Sequence, residues 1–318
     1  MAEVIDLLKI PASQVPAPFR VETYFDFKAH PFLHEAFFRD PKVTSVVAAV
    51  RAIGGYVKDW LARNLPRLEK EKGDIILTDS APNGTPCCGR FRVVLEKGAT
   101  FAPAAVFGVA AGKTPSTLHV AAGASVYGDV YLDEGSIYIG EGTKVERGAA
   151  IKGPTIIGRK NDIRMGAYLR GSLLIGDEGT FRGELKNVVM LDKANFPHPS
   201  YVGDSLCGYM SHFGNQATAA NLGIFEGVRD PAKRKNLRMK CEGKVYDLGG
   251  PKLGIILGDF SQVGCNSVSD PGTFLAPYTI VYQLTRINKG FYGPNVLIKN
   301  KPMEHGVVEI VPLTSLED

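Results

Sequence analysis

Between Val120 and Phe181 an aliphatic or aromatic residue returns at 120, 126, 132, 139, 145, 151, 157, 163, 169, 175 and 181, every interval being six except one of seven. An α-helix repeats near 3.6 residues and a strand at about 2, so neither carries this spacing simply. Thirteen glycines between 123 and 183 would also break any long helix. A hexapeptide period is the signature of a parallel β-helix, in which six residues form one short strand and one corner. The periodic aliphatic points into the coil, and the small residue after it lets the chain turn, as in Ile139-Gly140, Ile157-Gly158 and Ile175-Gly176. A Gly-rich antiparallel sheet would not keep a register of six over ten intervals. The expected fold is mainly β: a parallel β-helix preceded by an α-helical or mixed N-terminal region.

With 44% hydrophobic and 22% charged residues in 318, the chain is globular rather than disordered. A net charge of +4 tolerates anionic ligands but is too small and dispersed to argue for nucleic acid. The basic run Arg229–Lys244 lacks interleaved aromatics, which also argues for a solvated loop over a nucleic-acid surface. Five cysteines form no C-x-x-C pair and no zinc-ligand spacing, and the odd count suits a reducing cytosol. The first residues, MAEVIDLLKIPASQVP, lack the basic start and apolar run of a secretory signal, and no eighteen-residue apolar run exists to span a membrane. The expected compartment is the cytoplasm.

Residues 1–100 read as a helical or mixed region. Residues 1–30 are extended and proline-punctuated, with a possible short helix at the very start, and are expected to lie over another surface. A short helix is expected over 31–39, and Asp40-Pro41 as cap and first position of a longer one. Its apolar face is Val43, Val46, Val47, Val50, Ile53, Val57 and Leu61, with Gly54-Gly55 weakening it and Pro66 ending its regular part. Trp60 reads as core. The β-helix is expected over 101–285, broken by a Lys/Arg-rich excursion at 223–252 through which no hexapeptide can be threaded. A loop of this length in a compact domain is usually functional or disordered. Residues 286–318 are expected to cap the open end of the coil, whose strand edges would otherwise invite pairing. Gly108–Thr114 resembles a phosphate-binding loop, but has three residues between its glycines where the motif needs four, and no helix signal follows.

Two segments stand out for chemistry, Gly183–Asn187 and Asn195–Ser205. His198 lies between two prolines, on a backbone with few alternatives, and Lys186 precedes it by twelve residues, two strands along the coil. Taken singly, His198 reads as a surface residue and Lys186 as a solvated corner; their joint occurrence points to a site.

At these residues the chain resembles the acetyltransferase domain of the bacterial and archaeal bifunctional enzymes that make UDP-N-acetylglucosamine from glucosamine 1-phosphate. The likeness rests on Glu184-Leu185-Lys186-Asn187, His198-Pro199-Ser200-Tyr201-Val202-Gly203-Asp204 and Thr218-Ala219-Ala220-Asn221. Lys252–Asp259, KLGIILGD, resembles the KLGAIIGD of the archaeal branch, and the whole likeness covers roughly 118–285. It implies a left-handed β-helix homotrimer with active sites between subunits, acetyl-CoA as donor and no metal requirement. It also implies His198 as general base, with Lys186 and Tyr201 on the sugar phosphate and Asn221 near the sugar or the acetyl group. Arg238 and Lys240 correspond to family lysines. His212 stands where the family usually has Asn, and Gln216-Ala217 replaces its Gly-Thr-Ile stretch, both close to the implied acceptor site. No Leu-x-x-Gly-x-Gly-Thr-Arg loop is present, which argues against uridylyl transfer.

The residue types agree with the implied chemistry. A sugar ammonium is no nucleophile until an imidazole or another base takes its proton, and Lys and Arg give charge-assisted bonds to phosphate. The rival readings are a non-catalytic solenoid that binds a sugar phosphate or nucleotide sugar, and a metal-dependent β-helix enzyme. The latter needs three histidines at one metal, and the solenoid offers mainly His198 and His212, with His119 distant.

Overall fold

The computed structural model describes residues 3–72, 75–82, 84–223, 230–300 and 308–312. Residues 224–229 of the excursion, and 301–307 and 313–318 of the expected cap, lie outside the described residues. Among the described residues the chain is mainly β, built of left-handed parallel β-solenoid coils with a small helical N-terminal region. It divides into two compact units, residues 53–199 and residues 1–52 with 200–318.

In the first unit the hexapeptide period becomes register. Ile139 pairs with Ile157 and Ile157 with Ile175; Val145 pairs with Ile163 and Ile163 with Phe181. Each pair is eighteen residues apart, so three hexapeptides close one coil and the next stacks on it. The stacked side chains form the core: Ile139, Val145, Ile157, Ile163 and Leu169 are all fully buried. Corners leave backbone groups unpaired, and short polar side chains take them, as such groups require when buried. Thr143 Oγ1 donates to the Gly158 carbonyl at 2.7 Å, and Asn161 Nδ2 donates to that of Gly176 at 2.8 Å. Gly158 is required by space: a Cβ there would stand 2.5 Å from the Gly176 oxygen of the next coil. Parallel pairing already begins at Cys87–Cys88 and Phe91–Glu96, ahead of residue 101.

The long helix Val46–Glu71 begins five residues after Pro41. Ser45 caps it, its Oγ accepting from the Ala48 amide at 3.1 Å. Asp40 instead holds a turn, accepting from the amide of Lys42 at 2.9 Å, because an Asx turn competes with a helix start. The helix also passes through Gly54-Gly55 and Pro66. A Cβ at Gly54 would stand 3.1 Å from Ser172 Oγ, so the small residue serves close approach to a coil. Leu65 is buried and Glu69 pairs with Arg92, contacts that hold the last turns despite the amide missing at Pro66. Trp60 is half-buried, edge-on to Tyr138 at 5.5 Å.

In the second unit Leu257 pairs with Cys207 and with Leu275, while Phe213 and Val281 both pair with Val263. Coils continue past residue 285, Val281 pairing with Ile298 of Val296–Asn300. The excursion is an antiparallel hairpin of Arg238–Cys241 and Lys244–Asp247, joined in parallel by Val4–Asp6. The start of the chain is therefore a strand, and residues 12–23 are three single 3-10 turns. They lie over the coils of this unit: Phe19 is buried edge-on against Tyr246, Phe274 and Phe291, and Asp259 Oδ2 accepts from the Asp26 amide at 2.8 Å. The short helix expected over 31–39 is one turn, Glu35–Phe38. Among the described residues no helix is long and apolar enough to cross a membrane.

Candidate active site

Lys186 and His198 belong to the unit of residues 53–199. Lys186 follows the buried Leu185 in the strand Glu184–Met190, at a point where Asn187 turns the chain with φ 55°. The lysine is half-buried, and the neighbouring Glu184 is paired with Arg170. His198 sits on a bend just after the strand Asn195–Phe196. Phe196 and Pro197 are buried and His198 is exposed, so the core anchors one side of the bend and leaves the imidazole in solvent.

Tyr201, His212, Asn221, Arg238 and Lys240 belong to the other unit. Three polar residues converge there. Asn221 Nδ2 donates to the Tyr201 hydroxyl at 2.9 Å and to Asp204 Oδ2 at 2.6 Å. The Tyr201 hydroxyl accepts in this pair. Gly203 makes the convergence possible, because a Cβ there would stand 2.2 Å from the Tyr201 hydroxyl. Asp204 itself has φ 49°, a left-handed conformation that aspartate tolerates better than most residues. His212 is half-buried, in a strand paired with Gln262–Val263.

Two residues of this cluster escaped the sequence reading, Asp204 as a partner and Arg51 altogether. Arg51 lies on the helix, and its Nη2 donates to the Leu248 carbonyl at 3.1 Å. Its Nε is buried with no hydrogen-bond partner among the described residues. Burial pulls its guanidinium below the ordinary arginine range, against the opposing pull of Asp204. The available signal was an arginine between Val50 and Ile53, both on the buried face. A cation beside a core stripe asks for a partner.

Arg238 and Lys240 are exposed on alternate positions of one hairpin strand, with Met239 and Cys241 buried between and after them. They share one wall of a cavity of about 500 Å³ that Lys289 and Phe291 also line. Among the described residues no three His, Cys, Asp or Glu side chains are placed to hold a metal ion.

No family model matches the chain. It is similar to a bifunctional sugar-1-phosphate nucleotidylyltransferase/acetyltransferase of Sulfurisphaera tokodaii, at 30% identity over 106 residues, 33% of this chain and 24% of the relative. A bifunctional protein GlmU of Methanocaldococcus jannaschii is 34% identical over 98 residues, 30% of this chain and 22% of the relative. A hexapeptide transferase family protein of Anaplasma phagocytophilum aligns over 73% of this chain and 84% of its own at 12% identity and a TM-score of 0.13. The chain spans about a quarter of the length of the curated relatives it matches. The stretch shared with those bifunctional proteins is their acetyltransferase region.

Proposed function

We propose that this chain transfers the acetyl group of acetyl-CoA to the amine of an amino-sugar phosphate such as glucosamine 1-phosphate. His198 takes the proton from the sugar ammonium, the freed amine attacks the thioester carbonyl, and the coenzyme A thiol departs. An amide forms as the thioester breaks, and no electrons change hands. Lys186 and Tyr201, the latter oriented by Asn221, contact the sugar phosphate. Asn221 and His212 border the acceptor, and Arg238 and Lys240 add positive charge. The chemistry itself asks for no metal. The working form is a cytoplasmic homotrimer.

The observation that carries this reading is the exposed imidazole of His198 on a bend anchored by Phe196 and Pro197. A general base must reach its substrate and hold its place, and an exposed ring on an anchored bend supports that role. The test is thiol release from acetyl-CoA across a panel of amino-sugar phosphates and nucleotide sugars. His198→Ala should lower the rate by roughly 10²–10⁴ with circular dichroism unchanged. Full activity in that variant would defeat the proposal, and binding of a sugar phosphate without thiol release would favour a non-catalytic solenoid.

A further inference from the structure

At the foot of the excursion the described residues enclose a cavity of about 400 Å³ whose charged lining is entirely cationic: Arg234, Lys235, Arg238 and Lys289. Counter-charge is scarce. Among the described residues neither Arg234 nor Lys235 makes an ion pair, and the Arg234 Nε is buried with no hydrogen-bond partner. Asp247 reaches Arg238 only at 3.9 Å, and its Oδ1 already accepts from Asn236 Nδ2 and the Gly249 amide. Lys289 Nζ donates once, to the Arg238 carbonyl at 3.0 Å, and an ammonium has further protons to give.

A second cavity of about 370 Å³ adjoins it and shares Leu222, Gly223, Leu237 and Lys289 with it. Its own lining adds Ala220, Val268 and Pro271, and its two opposite charges, Asp270 and Arg286, neutralise each other at 2.9 Å. Backbone bonds hold the shared wall in place. The Leu237 amide donates to the Gly250 carbonyl, and the Leu248 amide donates to that of Leu237, both at 2.9 Å. Leu222 forms an antiparallel bridge with Lys252. The site is thus built before any ligand arrives.

We infer that these joined cavities bind a nucleoside diphosphate, its two phosphates among Arg234, Lys235, Arg238 and Lys289 and its base in the apolar compartment. Uncompensated cations repel one another, and a diphosphate relieves that repulsion with charge-assisted bonds to several of them at once. A lone phosphate would leave cations unmatched and the apolar compartment unfilled. The diphosphate has two possible sources, a nucleotide sugar or the adenosine diphosphate moiety of coenzyme A. The inference does not rest on acetyl transfer, since it concerns binding alone.

Isothermal titration calorimetry on the full chain tests it, with UDP, ADP, coenzyme A, pyrophosphate and uridine as probes. UDP or ADP should bind about tenfold or more tightly than pyrophosphate, and uridine should bind more weakly than UDP. The double variant Arg234→Gln/Lys235→Gln should lose roughly tenfold or more in nucleotide affinity, while Lys97→Ala, at an exposed cation outside both cavities, should leave that affinity unchanged. A preference for UDP would indicate a nucleotide sugar, and a preference for ADP and coenzyme A the acyl donor. Failure of both nucleotides to bind would overturn the inference, as would undiminished affinity in the double variant or pyrophosphate binding as tightly as UDP. None of these readouts depends on turnover, so acetyl transfer and this site can fail separately.

Discussion

Residues 137–181 and residues 200–300 are wound on a similar repeat, eighteen residues in the first and seventeen or eighteen in the second, yet only the second stretch is interrupted. In the first, every coil follows the last without a break. In the second, Ala219 pairs with Ser269 and Cys207 with Leu257, with the hairpin Arg238–Asp247 inserted between. The insertion costs the coil no register: Cys207–Leu257, Phe213–Val263 and Ala219–Ser269 are all fifty residues apart. Stacking and recognition are therefore separable in this fold. The uninterrupted coils carry buried aliphatic ladders, and the interrupted ones carry the cationic cavities and the Tyr201–Asn221–Asp204 cluster.

The sharpest way to break this comparison is to open a hole in the uninterrupted stack. Phe181 is fully buried, paired with Ile163 on one side and Phe196 on the other. Phe181→Ala should cost about 3–5 kcal/mol, because transfer and cavity terms add where neighbouring coils cannot collapse. Denaturant unfolding monitored by circular dichroism measures it. A cost below about 1 kcal/mol would mean that the stack is loose, contrary to the density of ordinary cores.

The two units also hold buried carboxylates that respond to pH in opposite directions. Burial would raise the Glu96 carboxyl, but His119 at 2.8 Å, the Ala122 amide and Lys72 together bring it below 4.5. A depressed native pKa contributes stability above the unfolded value and loses it as pH falls through the native one. Asp259 is raised above 3.8 by burial, against the Asp26 and Tyr209 amides that favour its charge. Its contribution is present at low pH and is lost as pH rises through its native pKa. Glu96→Gln should therefore flatten the fall of Tm between about pH 5 and pH 3 while lowering Tm at neutral pH. Parallel Tm curves for the two proteins would remove Glu96 from the acid response.

Legibility in the sequence followed the same division. The period of six announced the coils because each repeat must bury one aliphatic, and the positions singled out, such as Ile157, Ile163 and Leu169, are fully buried. The hairpin was not announced, because Arg238-Met239-Lys240-Cys241 alternates cation with core and reads as a charged loop. Its one signal was Glu242-Gly243, both at positive φ, as a two-residue hairpin turn demands. The helix start was misplaced because Asp40-Pro41 has cap chemistry, whereas Ser45, five residues on, makes the bond. The Tyr201–Asn221–Asp204 contacts join residues up to twenty apart on adjacent coils. That proximity follows from coil geometry, whereas Arg51 reaches Leu248 from a separate helix, across a separation that no local spacing encodes.

The smallest expected effect on stability makes the most selective comparison. Lys240 is exposed on the hairpin, with no ion pair among the described residues. Lys240→Ala removes no core contact, so unfolding free energy should change by less than about 0.5 kcal/mol. Its charge nevertheless stands on the cavity wall shared with Arg238 and Lys289, where an anionic substrate would sense it. The KM for an amino-sugar phosphate should therefore rise by about threefold to tenfold, with kcat little changed, because a uniform binding contact is lost. Thiol-release kinetics and a denaturation curve on the same preparation read both quantities. A variant that unfolds as readily as Phe181→Ala would make the hairpin part of the structural core, and one with unaltered KM would remove Lys240 from substrate recognition.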